Sequence, residues 1–278
     1  MGDFVDGERA ILSRWSPELL SPDKVSRLIA DLIPNHEIRA GRRYGVHIID
    51  GSDLSSDIGR FVEWTVFNEY FSNDLSVMEQ EYGPYDKFST FIMVLDYDKL
   101  EPVGVIRIIS PSDNGLKSIN DMTSPDSPWY REGDTVEGRF AEVGVDASNT
   151  IDIATMAVMP EYRSSHAADG ASAALYSSCV RWSLQNNYNG WVATVDSKIY
   201  NMMQAWGEPF KDFDHADWAT YLDSPKSKPV QGELFAALKK IKDFDREMSS
   251  SEQSIDVHGL YTRGAGLEDK FVLPTFNV

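Results

Sequence analysis

The chain has 278 residues, of which 42% are hydrophobic and 25% charged, with 7 Trp, 12 Tyr and 13 Phe. That is the composition of one large globular domain, or one domain with sizeable terminal extensions, and it excludes a disordered or fibrous chain. A formal net charge of -18 repels nucleic acid and anionic bilayers at long range, and Cys179, the single cysteine, leaves neither an internal disulfide nor a thiolate zinc cluster. No apolar run reaches the roughly 18 residues of a membrane span. The first residues lack the basic start and apolar core of a secretory leader, so the expected location is cytoplasmic.

Residues 1–43 carry short helical patterns (Val25, Leu28, Ile29, Leu32) interrupted by Pro17, Pro22 and Pro34, and end in a basic cluster of Arg39, Arg42 and Arg43; they read as an N-terminal extension. Tyr44–Asp50 predicts a strand, and Leu54, Ile58, Phe61, Val62 and Thr65 recur at helical spacing behind a capping Asp53 or Ser55. Residues 88–95 and 103–109 predict two strands joined by a short polar turn, an antiparallel hairpin. From Pro111 to about Arg139 the chain is rich in Ser, Asp, Pro and Gly, with one helical turn expected at 116–122. A connection of that length tends to be functional, which places it on the acceptor side of any site. Strand, helix, strand, helix then follow at 150–159, 170–187, 191–195 and 197–206. Residues 214–278 read as a C-terminal extension with a charged helix at 233–248 and a last apolar segment at 270–273.

The most informative stretch is Ile151-Asp152-Ile153-Ala154-Thr155-Met156-Ala157-Val158-Met159-Pro160-Glu161-Tyr162-Arg163. A buried strand ends at Pro160 and passes through a polar, small-residue turn into a helix whose Ala171, Ala174, Leu175, Ser178, Cys179 and Trp182 share one face. Unpaired N–H groups at such a helix start, with the helix dipole and Arg163, form an anion site suited to phosphate or pyrophosphate.

Ala157-Val158-Met159-Pro160-Glu161-Tyr162-Arg163 resembles the strand-to-loop motif of the GNAT superfamily of N-acyltransferases. The likeness runs in element order over 44–213 and is specific by motif over about 151–210. It implies an α/β fold with a central mixed, mostly antiparallel sheet of six or seven strands and helices on both faces. It also implies acetyl-CoA or another acyl-CoA as co-substrate, splayed between the strands at 151–159 and 191–195, and an amine acceptor acylated in a direct ternary complex without a metal.

On that resemblance the backbone of Met156, Ala157 and Val158 polarises the thioester, and Arg163, Ser164, Ser165, His166, Gly170 and Ala171 hold the cofactor's phosphates. The loop departs from the family pattern: six residues intervene before Gly170, and one of them is the acid Asp169. Met203 occupies the place of the usual general-acid Tyr, with Tyr200 and Tyr176 as substitutes. An attacking amine must lose a proton. Asp152, at the start of the central strand, is the first candidate base and Glu142 the second.

Pro102-Val103-Gly104-Val105-Ile106-Arg107-Ile108 further resembles the subset related to acyl-homoserine-lactone and N-acyl amino acid synthases, which take long acyl chains. Arg107 then orients a substrate carboxylate or phosphate, unless it is an exposed strand residue paired to a surface acid. The net charge of -18 argues against an acidic acyl carrier protein as donor unless the Arg39 to Arg43 cluster provides its docking patch, and a homodimer stays open. Met203 and the long loop also fit a GNAT-like acyl-CoA sensor without turnover. The run Asp212 to Asp217 suggests a metal site, but adjacent side chains alternate sides and seldom converge on one ion.

Overall fold

The computed structural model describes residues 13–144, 146–163, 170–205, 210–248 and 256–276. Helix α1 (Pro22–Leu32) begins with proline where a missing N–H costs nothing, and it buries Val25 and Ile29. A single capped turn, α2 (His36–Arg39), leads to β1 (Tyr44–Asp50). Helices α3 (Asp57–Phe71) and α4 (Leu75–Tyr82) follow, the latter capped by Asp74, whose side chain accepts from the N–H groups of Ser76 and Val77. The expected hairpin is β2 (Ser89–Asp96) and β3 (Glu101–Ile109). The long polar connection contains two helices, α5 (Lys117–Thr123) and α6 (Val136–Val143). Then come β4 (Thr150–Val158), α7 (Ala171–Gln185), β5 (Gly190–Asp196) and α8 (Ser197–Ala205). Three strands, β6 (Lys211–Asp212), β7 (Ala219–Tyr221) and β8 (Ser224–Glu233), precede α9 (Leu234–Met248), α10 (Val257–Arg263) and β9 (Phe271–Val272).

The strands form one mixed sheet in the order β6-β8-β5-β4-β3-β2-β1-β9, with β7 also on β8. All neighbours are antiparallel except β4 with β5 and β1 with β9. The nine strands exceed the six or seven expected, because 211–233 and 271–272 also join the sheet. Strand β8 gave no apolar signal: it reads SPKSKPVQGE. Its Pro229 lies opposite Thr194 of β5 and falls in the gap between the short outer partners, β6 at 230–231 and β7 at 224–227, where a missing N–H is tolerated.

Helices cover both faces. Gly104 of β3 points toward α7, where an added Cβ would lie 2.8 Å from Ala157 O and 3.2 Å from Leu175 Cδ1. Arg107, three residues on and so on the opposite face, meets Glu63 of α3. The flanking segments join the same core, α1 through Val25 and Ile29 and the C-terminal part through Tyr261, Leu267 and Phe271. Among the described residues no helix is long and apolar enough to cross a membrane.

Strands β4 and β5 pair over only three positions, Thr150–Gly190, Ile151–Trp191 and Asp152–Val192. Beyond them the two strands part. Opposite the parting, β4 carries an irregularity against β3: Arg107 pairs with Thr155 and Ile108 with Ile153, so Ala154 is the extra residue.

Candidate active site

The divergence of β4 and β5 opens a pocket through the sheet, enclosing about 930 Å³ of atom-free space that includes open solvent. Ile153, Thr155 and Met156 line one edge and Ala193, Thr194 and Val195 the other. Tyr176 of α7 closes it on one face; Phe67 and Phe71 of α3 and Lys117 and Ser118 of α5 close it on the other.

Within β4 the peptide groups alternate. The Met159 N–H donates to Val103 O on β3, so the Met156 and Val158 peptide groups turn the other way, toward the gap that β5 has left. Val158 O is engaged there by Arg163 Nε at 2.7 Å. Arg163 is exposed and its guanidinium stacks 4.3 Å from the Tyr70 ring centroid. Gly170 precedes α7 with φ 102, in the left-handed region that favours glycine, and Ala171 begins the helix in the core. Ser164, Ser165 and His166 lie outside the described residues.

Asp152 is fully buried. It is not a solvent-facing strand-edge carboxylate, and it does not line the pocket itself. Its Oδ1 accepts from Ser118 Oγ at 3.0 Å and its Oδ2 from Ser118 N at 2.5 Å. Burial pushes the carboxyl up to about 7, against the lowering effect of the two Ser118 hydrogen bonds, with Asp121 raising it further. Ser118 Oγ also accepts from Thr194 Oγ1 at 3.5 Å.

The other acid and the tyrosines separate. Glu142 is engaged by Arg139 Nη1 at 3.2 Å and by Asp214 N at 2.9 Å and is not among the residues that line the pocket. Tyr200 packs edge-on against Trp218, with its hydroxyl 3.4 Å from Asp212 Oδ1, also outside the lining. Tyr176 is buried and lines the pocket beside Met203.

Arg107 corrects both expectations made for it. It is fully buried and neither meets the pocket nor sits at the surface. Nε and Nη2 form a fork on Glu63 at 2.9 and 2.6 Å, and Nη1 reaches Asp86 at 2.9 Å. Its donors are spent on the fold.

Sequence reasoning missed the wall formed by α5 and the β7–β8 hairpin. Lys117 Nζ contacts Glu81 Oε2 at 2.7 Å, Asp121 Oδ2 at 2.8 Å and the Tyr221 hydroxyl at 2.5 Å, and Tyr221 in turn donates to Asp121. Burial alone would lower the Lys117 ammonium, but Asp121, Tyr221, Tyr82 and Glu81 raise it well above its ordinary value. The available signal was the single helical turn expected at 116–122, in a connection already assigned to the acceptor side. Among the described residues no group of three or more His, Cys, Asp or Glu is placed to hold a metal ion, and Cys179 is buried in the core, as its helix face predicts.

This architecture is found in known structures. FeeM, an N-acyl amino acid synthase from uncultured soil microbes, matches 74% of this chain and 98% of its own, with TM-score 0.54 and 12% identity. The AHL synthase LasI matches 70% of this chain and 91% of its own at TM-score 0.47 and 17% identity. A spermidine N-acetyltransferase from Vibrio cholerae, in complex with CoA and spermine, matches 70% and 98% at TM-score 0.41 and 11% identity. No family model matches the sequence, and no curated protein matches it either. The chain has the GNAT fold, with the mixed, mostly antiparallel sheet that the motif at 157–163 implied.

Proposed function

We propose that this chain is an N-acyltransferase that takes its acyl group from acetyl-CoA or another acyl-CoA and passes it to an amine by direct attack in a ternary complex. The carrying observation is the parting of β4 and β5 after three residue pairs, which opens a route through the sheet with the Met156 and Val158 peptide groups directed into it. Their N–H groups are placed to polarise a thioester carbonyl. Beyond them the N-terminus of α7 at Gly170 and Ala171, with the exposed Arg163, suits the cofactor's phosphates. Tyr176 is the candidate acid for the departing thiolate and Asp152 the candidate base.

The apolar wall of Phe67, Phe71, Ile199 and Phe210 favours an acyl chain longer than acetyl. That feature supports a second reading, an N-acyl amino acid or lactone synthase supplied by acyl-CoA or an acyl carrier.

Thermal unfolding with CoA, acetyl-CoA and octanoyl-CoA tests the donor. A thioester at 100 times its dissociation constant stabilises by about 2.7 kcal/mol, and octanoyl-CoA is expected to shift the midpoint more than acetyl-CoA does. No shift with any of these, nor with an acylated carrier, overturns the thioester reading. Arg163→Ala is expected to weaken CoA binding, and unchanged affinity would remove Arg163 from the phosphate site.

A further inference from the structure

We infer that the Ser118 hydroxyl is the group that touches the acceptor amine, and that Asp152 acts through it as a positioning residue at the closed end of a two-step proton path. The inference rests on the acyl-transfer reading and adds to it the residue that carries the proton. Asp152 has no surface on the pocket and is fully buried at the last paired position before β4 and β5 part. Both of its oxygens are held by Ser118, and Ser118 does line the pocket. Among the described residues no other hydrogen bond to the Asp152 carboxylate links it to the gap, so a proton taken from a pocket ligand passes through Ser118 Oγ.

The step balances without a further reactant. As the amine nitrogen attacks the thioester carbon, its N–H proton passes to Ser118 Oγ while the Ser118 O–H proton passes to Asp152 Oδ1. The N–C bond forms, and the C–S bond breaks as the tetrahedral intermediate collapses. The thiolate takes the Tyr176 O–H proton, and the tyrosinate regains one from solvent as Asp152 releases the proton it accepted. Thr194, donating to Ser118 Oγ, keeps the serine lone pair oriented while its O–H points to Asp152.

The groups facing Asp152 are Lys117 and Asp121 of α5, beside Ser118 itself, and Tyr85 from the segment before β2. Lys117 is already neutralised by Glu81 and Asp121. On this path the acidic limb of kcat in the ternary complex is expected to follow Asp152, which burial pushes up to about 7, whereas ionisation of the free acceptor amine enters kcat/KM.

Release of CoA thiol is the readout, with acetyl-CoA and octanoyl-CoA each offered tyramine, hexylamine, spermidine and glycine from pH 5.5 to 9.5. Wild-type protein is expected to show kcat falling below about pH 7. Ser118→Ala should lose on the order of 10²-fold or more in kcat, with less than a threefold change in KM for the acyl-CoA and an unchanged thermal shift with CoA. Ser118→Thr, which keeps a hydroxyl, should restore at least a tenth of the lost rate. A Ser118→Ala protein that binds CoA and keeps kcat within threefold at every pH overturns the path. So does a loss that lies wholly in KM, or a Thr variant no faster than Ala. Wild-type protein that binds no thioester and releases no thiol with any pair is a different failure, that of the acyl-transfer reading beneath it.

Discussion

Two buried charge clusters lie on the same face of the sheet, and they differ in what surrounds each carboxylate. In the first, Arg14, Arg60 and Arg107 alternate with Asp57, Glu63 and Asp86 through ion pairs of 2.6 to 3.2 Å. The Arg107 guanidinium also packs 4.5 Å from the Phe91 ring and 5.1 Å from that of Tyr82. Every charge has an opposite charge, and the cluster meets the pocket through Tyr82 and through Thr155, which donates to Glu63. In the second, Asp152 has a hydroxyl and an amide for partners and, among the described residues, no ion pair. The buried Asp152 carboxyl, held by neutral donors, is pushed up by burial to about 7, where it can exchange a proton near neutral pH.

The comparison breaks most readily at Arg107. Arg107→Met leaves Glu63 without its cation while Asp86 keeps Arg60, and removing one partner of a buried pair costs about 3–5 kcal/mol. Urea unfolding should show that loss, and Arg107→Met with Glu63→Leu should recover most of it. A single variant as stable as wild type would mean that the first cluster is not a structural unit.

Asp152→Asn is expected to act in the opposite direction. Because the folded carboxyl lies near 7, above its ordinary 3.8, the native state holds a proton that the unfolded chain has released between about pH 4 and 7. Stability from this group is complete below pH 4 and is lost as pH rises through 7, by up to about 4 kcal/mol at 1.36 kcal/mol per pH unit. Asparagine removes that penalty, since its amide can donate to Ser118 Oγ while its carbonyl accepts from Ser118 N. The variant should be more stable than wild type at pH 8 and nearly equal to it at pH 4, while its turnover falls. A pH-independent difference would place the titration elsewhere.

What the sequence made legible follows the same division. The β4 to α7 motif, the apolar face of α7 and the β2–β3 hairpin are local patterns with a period, and each appears within a residue or two of its expected bounds. The carboxyl of Asp152 was a legible candidate but its partner was not. Ser118 lies 34 positions away on a seven-residue helix inside a Ser, Asp and Gly-rich connection, where only tertiary packing decides which hydroxyl meets which acid. Arg107 was misread for a related reason. An arginine in an apolar strand signals either a ligand contact or a buried pair, and Glu63 is 44 residues distant. Strand β8 was invisible because it enters the sheet through backbone pairing with β5, not through an apolar pattern of its own.

Gly104→Ala probes the opposite face of the sheet as a packing control. The new methyl would meet Ala157 O at 2.8 Å, a backbone atom that cannot rotate away. Overpacking of this kind costs about 1–3 kcal/mol, and urea unfolding should show it without the pH dependence of Asp152→Asn. A penalty that varied with pH would link the two faces.

The smallest expected effect is at the rim of the pocket. Asn73, after α3, donates through Nδ2 to Leu222 O at 3.3 Å in the turn between β7 and β8, where Leu222 and Asp223 hold φ of 47 and 60. Both Asn73 and Leu222 line the pocket. Asn73→Ala removes this tie at about 1 kcal/mol, roughly 2–4 °C in thermal midpoint for a chain of this size. The hairpin also carries Tyr221, whose hydroxyl meets Lys117 and Asp121, so loosening the turn should disturb the acceptor wall before it disturbs the donor side. Acyl-CoA affinity is then expected to stay within twofold while KM for the amine rises. If the acyl-CoA affinity falls instead, the β7–β8 hairpin belongs to the donor half of the cleft.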